Sequence, residues 1–480
     1  MIVLLVAALL SWSGGRPLCA QSNAFNVLYD FTASPNLSSD FPTNSDGVNP
    51  NGELNLSSNT LYGTAGAGGS AGVGTVFRVN TDGTCYTNLH TFTGGTNDGD
   101  GPNGSILSGN TLYGTTATGG SGNHGTIFRV NTDGTCYTNL HSFAATTNDS
   151  VLTNADGVQP FGGVIIAGNT LYGTAQYGGR WANGTVFSMR TDGSGFSNLY
   201  NFSMGALLNG VLTNADGAEP SAGLLLSENS LIGTTFAGGP QSHGTVFRLN
   251  TDGSAFTNLH SFTNASNQNG PGSSAALFLS GNTLYGTAAS GSGGYGTVFR
   301  VNTDGSGFST LYTFTGGNDG ADPGKLTLSA NALYGIAALG GSGNWGTVFR
   351  IDTNGSDFTI LYSFPADSAE NFVNSDGIDP SGFVLSGNAL YGTATGGGSG
   401  GTGTVFALTL PAPPLGIAPA GDQVLLSWPI WAPNYDLQTA ADLSSPNWSN
   451  VTDGFITDGT NYYFATSMTN PAAYYRLQQH

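Results

Sequence analysis

The tetrapeptide LYGT recurs seven times along the chain, beginning at Leu61, Leu112, Leu171, Leu231 (as LIGT), Leu284, Leu333 (as LYGI) and Leu390. The spacing averages about 55 residues. A period of that order marks a propeller or a solenoid, not one continuous core. Three further signatures travel with the tetrapeptide: a DG-x-x-P turn entering an apolar run, as in DGVQPFGGVIIAGN; GTVFRVNTDG; and F/Y-x-x-L-H/Y-x-F. The fullest copy is Leu112–Phe143, LYGTTATGGSGNHGTIFRVNTDGTCYTNLHSF.

Each signature reads as a strand. In the stretch from Tyr86 to Phe92, alternation places Tyr86, His90 and Phe92 on one face and Leu89 on the other. GTVFRV is β-branched and aromatic, and SGN and TDG are hairpin turns in which Gly and Asn supply positive φ. Each repeat is therefore a four-stranded antiparallel meander. The strands are named a (after DG-x-x-P), b (LYGT), c (GTVFRV) and d (NLHSF).

A sheet of such short strands cannot bury both faces alone, and radial stacking solves this. The seventh repeat stops after its strand c, GTVFALTL, while FNVLYDF (Phe25–Phe31) is a strand d that precedes any a, b or c. The expected fold is all-β: a seven-bladed β-propeller over residues 21–410, closed by the N-terminal strand. A Pro-rich linker (411–416) and a small C-terminal β-sandwich (417–480) follow, with Trp428 and Trp448 expected in the sandwich core. In such a ring, Cys85 and Cys136 hold equivalent positions on adjacent blades. They would lie roughly 18 Å apart, beyond the ~7 Å limit for a disulfide. Free, packed thiols are expected.

The unit LYGTT…GG…GTVFRVNTDG…F-x-x-L-H-x-F resembles the GloVer tandem repeat of exported bacterial "choice-of-anchor" surface proteins, over residues 25–410. Its strand pattern is also similar to kelch blades. The C-terminal stretch SWP…YDLQTAADLSSPNWSNV…YYRL is similar to a terminal β-sandwich of exported proteins from the same bacteria. The resemblance implies surface display and supplies no catalytic residues. Such proteins are typically anchored by a C-terminal sorting motif, whereas this chain ends YYRLQQH with no hydrophobic tail.

Composition bounds the partners. The formal net charge is −19, with only 10 Lys and Arg, which excludes a nucleic-acid binder and disfavours an anionic membrane surface. Residues 1–20 read as a secretory signal, with the apolar run IVLLVAALL and a cut after Ala20. The mature protein is expected to be exported, secreted, on the cell surface or periplasmic, monomeric, and without membrane insertion.

In a four-stranded meander the a–b and c–d turns emerge at one end of the sheet, and the b–c and d–a connections at the other. Here the first set is short and uniform, while the second varies in length and content. Binding residues are expected on variable loops. The candidates are His124, His243, Tyr295 and Trp345, each just before GTVF or GTIF, with Arg180 and Trp181 in the third b–c loop. Aromatic rings among amides and acids suit a polysaccharide, the favoured partner, with a cell-envelope protein the alternative.

No metal site or cofactor is expected. The nearest approach is a calcium loop at Asp98 and Asp100, but the acid that should open each N-x-D-G loop is missing. His90, His141 and His260 share a slot with Tyr29, Tyr200, Tyr312 and Tyr362, so they read as packing. The strand c arginines read as inter-blade partners of an Asp. Three functions remain: a non-enzymatic glycan-binding scaffold, a polysaccharide-degrading hydrolase or lyase using two acids of the variable end, and a purely structural envelope component.

Overall fold

The computed structural model describes residues 24–147, 152–208, 211–263, 277–288, 294–329, 331–366, 373–411, 415–429, 435–441, 447–457, 461–467 and 473–479. The expected leader at residues 1–20 lies outside them. Every regular element among the described residues is a strand. Repeat one is a sheet of Val48–Ser57, Thr60–Ala67, Thr75–Asn80 and Thr87–Thr91 in the order a-b-c-d. Repeats two to six each form the same antiparallel sheet. Repeat seven supplies Asn374–Ser386, Ala389–Gly398 and Thr404–Thr409, and Phe25–Asp30 pairs antiparallel with Thr404–Thr409 in the place of strand d.

That N-terminal strand is a strand d in detail. In each other sheet the c–d register skips one leucine: Leu89 between Val76↔His90 and Phe77↔Asn88, and likewise Leu140, Leu199, Leu259, Leu311 and Leu361. Phe25–Asp30 skips Leu28 against Thr404–Thr409 in the same way. A bulge of this kind re-aims the residues after it.

Two glycines in each unit have steric reasons. A Cβ on Gly63 of LYGT would stand 2.6 Å from Cζ of Phe77, the phenylalanine of GTVF, and Gly114 and Gly173 meet Phe128 and Phe187 in the same way. The phenylalanine ring thus lies over strand b and is fully buried, worth about 1.5–3 kcal/mol in each sheet. The glycine that opens GTVF makes room for the next repeat. A Cβ on Gly74 would stand 2.5 Å from Pro102 Cδ, and Gly184 faces Pro220 likewise. Gly403 of repeat seven faces Pro50 of repeat one.

Aromatic stacking joins the sheets. The His or Tyr of each strand d lies flat on the ring that opens the following repeat's strand d segment: His90 on Tyr137 (3.5 Å), His141 on Phe196 (3.9 Å), Tyr200 on Phe256 (4.2 Å), His260 on Phe308 (3.6 Å) and Tyr312 on Phe358 (3.7 Å). Tyr362 stacks on Phe25 (4.2 Å) and Tyr29 on Tyr86 (3.8 Å), so the N-terminal strand touches both repeat six and repeat one.

Three expectations need correction. Cys85 and Cys136 are free, but they are exposed rather than packed. Each sits at positive φ (58° and 57°) in the slot that Gly195 and Gly307 fill elsewhere, so a tight turn rather than a core sets the position. Two strand c arginines donate to carbonyls of the next repeat, Arg78 to Thr132 O (3.3 Å) and Arg248 to Thr303 O (3.4 Å), and, after the turn's own hydrogen bonds, the charge of Arg78 also lowers the pKa of Asp133 in that repeat. Arg350 instead pairs with Asp352 of its own strand (2.5 Å). Trp428 is buried at the core of the C-terminal unit, but Trp448 is only half-buried, under the Arg476 guanidinium at 4.4 Å.

That unit has two sheets, one of four strands (Gly416–Ala420, Gln423–Pro429, Asn461–Ser467, Phe455–Thr457) and one of three (Ser449–Asn450, Tyr435–Ala440, Tyr474–Gln479). Its first strand begins at Gly416, inside the segment expected as linker. Leu426, Trp428 and Leu437 form its buried centre. A short hairpin, Ala206–Leu208 with Val211–Thr213, decorates the connection from repeat three to repeat four.

Candidate functional site

The d–a connections carry a recurring acid, and the structure uses it as a clamp. Asp46 accepts from Tyr29 Oη (2.7 Å), Thr32 N (3.0 Å) and Thr32 Oγ1 (2.6 Å). Asp216 accepts from Tyr200 Oη (2.7 Å), Ser203 N (2.9 Å) and Ser203 Oγ (2.5 Å). Asp319 repeats the pattern with Tyr312 and Thr315, and Asp376 binds Tyr362. Asp156 takes His141 Nε2 (2.9 Å) and Ala144 N (3.0 Å). This explains the His–Tyr interchange: either ring can donate one hydrogen to the same carboxylate and stack on the same neighbour. The preceding asparagine closes the turn, as when Asn154 Oδ1 accepts from Gly157 N (2.9 Å) and Gly179 N (3.0 Å).

Asp98, the weak calcium candidate, belongs to this set. His90 Nε2 (3.2 Å), Tyr137 Oη (2.6 Å), Thr93 N (2.9 Å), Thr93 Oγ1 (2.9 Å) and Gly99 N (2.8 Å) surround its two oxygens. Burial pushes its pKa up, but these donors outweigh that and hold it at about 2. Asp100 has its pKa raised by burial and stands outside the cluster. No group of three or more acids, histidines or cysteines among the described residues is disposed to hold a metal.

His260 is the exception. Burial lowers its pKa to about 4, and its Nε2 has no partner among the described residues. The sequence that follows, TNASNQNGPGSSAA, contains no acid to pair with it.

The six candidate binding residues are spread over successive repeats, and only Arg180 and Trp181 meet. The Arg180 guanidinium lies 4.8 Å from the Trp181 ring centroid. His124 is half-buried and its Nε2 accepts from Thr146 N (3.2 Å). His243 is half-buried, and Trp345 packs against the apolar core between repeats six and seven. Tyr295 is exposed. The main chain of these positions is structural, because their carbonyls receive the N–H of the residue before the next repeat's proline. Gln159 N reaches His124 O (2.9 Å), Asp322 N reaches Tyr295 O (3.0 Å) and Asp379 N reaches Trp345 O (3.2 Å).

Those pre-proline residues were missed by sequence reasoning. Asn49, Gln159, Glu219, Asp322 and Asp379 all sit at positive φ, between 52° and 58°, a strained conformation for a side-chain-bearing residue. Burial raises the carboxyl pKa of Glu219 and Asp322; burial and then the charge of Asp322 raise that of Asp379. The available signal was an acid or amide immediately before the proline of DG-x-x-P.

In or just before strand a, residues from every repeat line one cavity of about 450 Å³. Its walls include Glu53, Asn103, Phe161, Phe278, Lys325 and Ser381. Lys325, the only lysine in the chain, forms an ion pair with Glu53 there. The inner strands approach closely: a Cβ on Gly52 would stand 2.6 Å from Asn103 O, and Gly382 abuts Gly52 and Glu53.

Four-stranded antiparallel sheets packed side by side around such a cavity define a β-propeller-like repeat protein. Solved structures of propeller type share the likeness at low similarity. YCF48 of Cyanidioschyzon merolae has 11% identity and a TM-score of 0.45, over 80% of this chain and 99% of that one. A GH74 enzyme of Niastella koreensis has 14% identity and a TM-score of 0.45, over 80% and 58%. An oligogalacturonate lyase in complex with manganese has 10% identity and a TM-score of 0.45, over 81% and 96%. At such values nothing about function carries across. No curated protein matches the chain. The chain belongs to the Gloeobacter/Verrucomicrobia repeat family, whose profile matches residues 20–215 and 207–406.

Proposed function

We propose that the protein is an exported, non-enzymatic binding scaffold of the bacterial surface or periplasm, a monomer that holds a glycan at the b–c/d–a end of its sheets. Its scaffold is a seven-bladed propeller closed by Phe25–Asp30. Closure is supported by the stacking of Phe25 on Tyr362 and Tyr29 on Tyr86, and by Gly403 against Pro50.

One observation carries the binding reading. Of the eight exposed large apolar side chains among the described residues of the repeats, seven lie in b–c loops or d–a connections (Leu37, Phe41, Phe161, Trp181, Met204, Phe236 and Tyr295), and the eighth, Leu339, ends a strand b at the same end of the sheets. None lies at the a–b/c–d end. Exposed apolar groups at the end of the sheets where the loops vary support a binding face there. Rings such as Trp181 and Tyr295 offer flat surfaces to sugar C–H groups, and the neighbouring Arg180 offers donors to hydroxyls. The test is a glycan array followed by calorimetry. Trp181→Ala with Tyr295→Ala is expected to weaken the best glycan at least about tenfold, some 1.4 kcal/mol. Unchanged affinity removes the loop assignment.

A polysaccharide-degrading activity is favoured by one separate observation. Asp322 and Asp379 are desolvated carboxyls on adjacent repeats, close enough for one to raise the pKa of the other. Glycoside cleavage needs such a pair, with one member held protonated. Release of reducing ends that Asp379→Asn abolishes would establish it; no release by the wild type leaves the scaffold reading.

A further inference from the structure

We infer that the central cavity is itself the principal subsite for that glycan and takes a neutral, hydroxyl-rich unit of roughly one or two sugar rings. This rests on the glycan reading above and moves its centre from the outer loops to the axis.

The volume, about 450 Å³, falls in the range of small-molecule sites, about 300–1,000 Å³. The wall is two-sided in chemistry. Phe161, more than a third exposed, and Phe278 offer apolar surface. Opposing polarity comes from Glu53, Lys325, Asn103 and Ser381. A sugar ring has this same division, with C–H faces and an equatorial rim of hydroxyls.

The charge distribution selects against anions. Glu53 and Lys325 come from repeats one and six, and both side chains stay substantially solvent-accessible, 47% and 30%. Side by side they offer a strong acceptor and a strong donor with no net charge. Adjacent hydroxyls can donate to the one and accept from the other. An anionic ligand would meet Glu53 and the field of a chain carrying −19.

Position supports access from the variable end. The lining residues Phe161, Ser221, Gly324 and Ser381 directly follow Pro160, Pro220, Pro323 and Pro380, so the cavity opens beside the d–a connections rather than beside the TDG turns.

The test is calorimetric titration of the full chain with cellohexaose, xylohexaose, laminarihexaose, mannohexaose and, as the charged control, trigalacturonate. Three variants are compared: Phe161→Ala, the paired Glu53→Gln/Lys325→Met, and Trp181→Ala. The double substitution leaves no unpaired charge, and thermal melts check that each variant folds. At least one neutral oligosaccharide is expected to bind, with affinity falling about tenfold or more in both cavity variants and less than about threefold in Trp181→Ala. Trigalacturonate is expected not to bind. If the neutral ligand weakens only with Trp181→Ala, the cavity is overturned while the glycan reading stands. If no oligosaccharide binds the wild type, both fall. Preference for trigalacturonate overturns the neutral-ligand assignment alone.

Discussion

The two ends of the sheets use the same residue types for different ends. At the a–b/c–d end, Asp82, Asp133, Asp192, Asp252 and Asp304 are exposed and cap their own turns. Asp192, for example, accepts from Ser194 N (2.9 Å) and Ser194 Oγ (2.7 Å), and such bonds lower the pKa of all five. Asn354 makes the same two bonds to Ser356, so the charge is dispensable there. At the b–c/d–a end, Asp46, Asp98, Asp156 and Asp216 are buried and each ties a strand d to the next connection. Recurrence therefore identifies scaffold at both ends, and burial decides how much each acid contributes. Individuality is confined to the second end, in the b–c loops and in the residue before each proline.

The sharpest way to break this comparison is to remove the strand that makes the last repeat like the others. Deleting residues through Thr32 strips Phe25, Tyr29 and Phe31 from their stacks and leaves Asp46 without its donors. Loss of three such rings costs several kcal/mol, about 3 or more for each core Phe. A lower and less cooperative thermal transition is expected by calorimetry; an unchanged melt would detach this strand from the scaffold.

Next in size is the acid clamp. Asp216→Ala leaves Tyr200 Oη and both Ser203 donors unmet, and should cost about 2–4 kcal/mol in urea unfolding. Asp192→Asn at the turn end should leave the midpoint nearly unmoved, as Asn354 shows. Equal losses from the two would erase the distinction. Gly173→Ala, which drives a Cβ into the Phe187 ring, should cost about 1–3 kcal/mol.

The smallest effect is conditional on pH. The pKa of His260 falls from 6.5 to about 4 on folding, so the unfolded chain takes up a proton that the native chain refuses. Stability from this residue is complete above pH 6.5 and is lost as pH falls from there towards 4. His260→Tyr, the residue used in four other repeats, should narrow the stability difference between pH 7.5 and pH 5 by about 1 kcal/mol, its partial exposure considered. Asp98 works at lower pH: its contribution is present above pH 3.8 and is lost as pH falls towards 2.

The sheets were legible because their reasons are local and repeated. LYGT, GTVF and TDG each fix a strand or a turn, and the orphan FNVLYDF is a visible copy of YTNLHTF. The recurrent acids were seen, but their partners were not. Tyr29 and Asp46 meet through the geometry of a connection, and alternation along one strand does not describe that. Asp98 looked like an incomplete metal loop for the same reason. The cavity was illegible because it is assembled from a few residues of every repeat. Glu53 and Lys325 stand 272 positions apart, and their only sequence signal is that Lys325 is the one lysine of the chain.

Native-state hydrogen exchange on the full chain tests the central structural claim most directly. If Phe25–Asp30 is the fourth strand of the last sheet, its bonded amides should be protected to the same extent as those of Thr404–Thr409, and both should open in one unit with repeat one. Exchange of Phe25–Asp30 at the rate of a frayed terminus, with Thr404–Thr409 still protected, would contradict it.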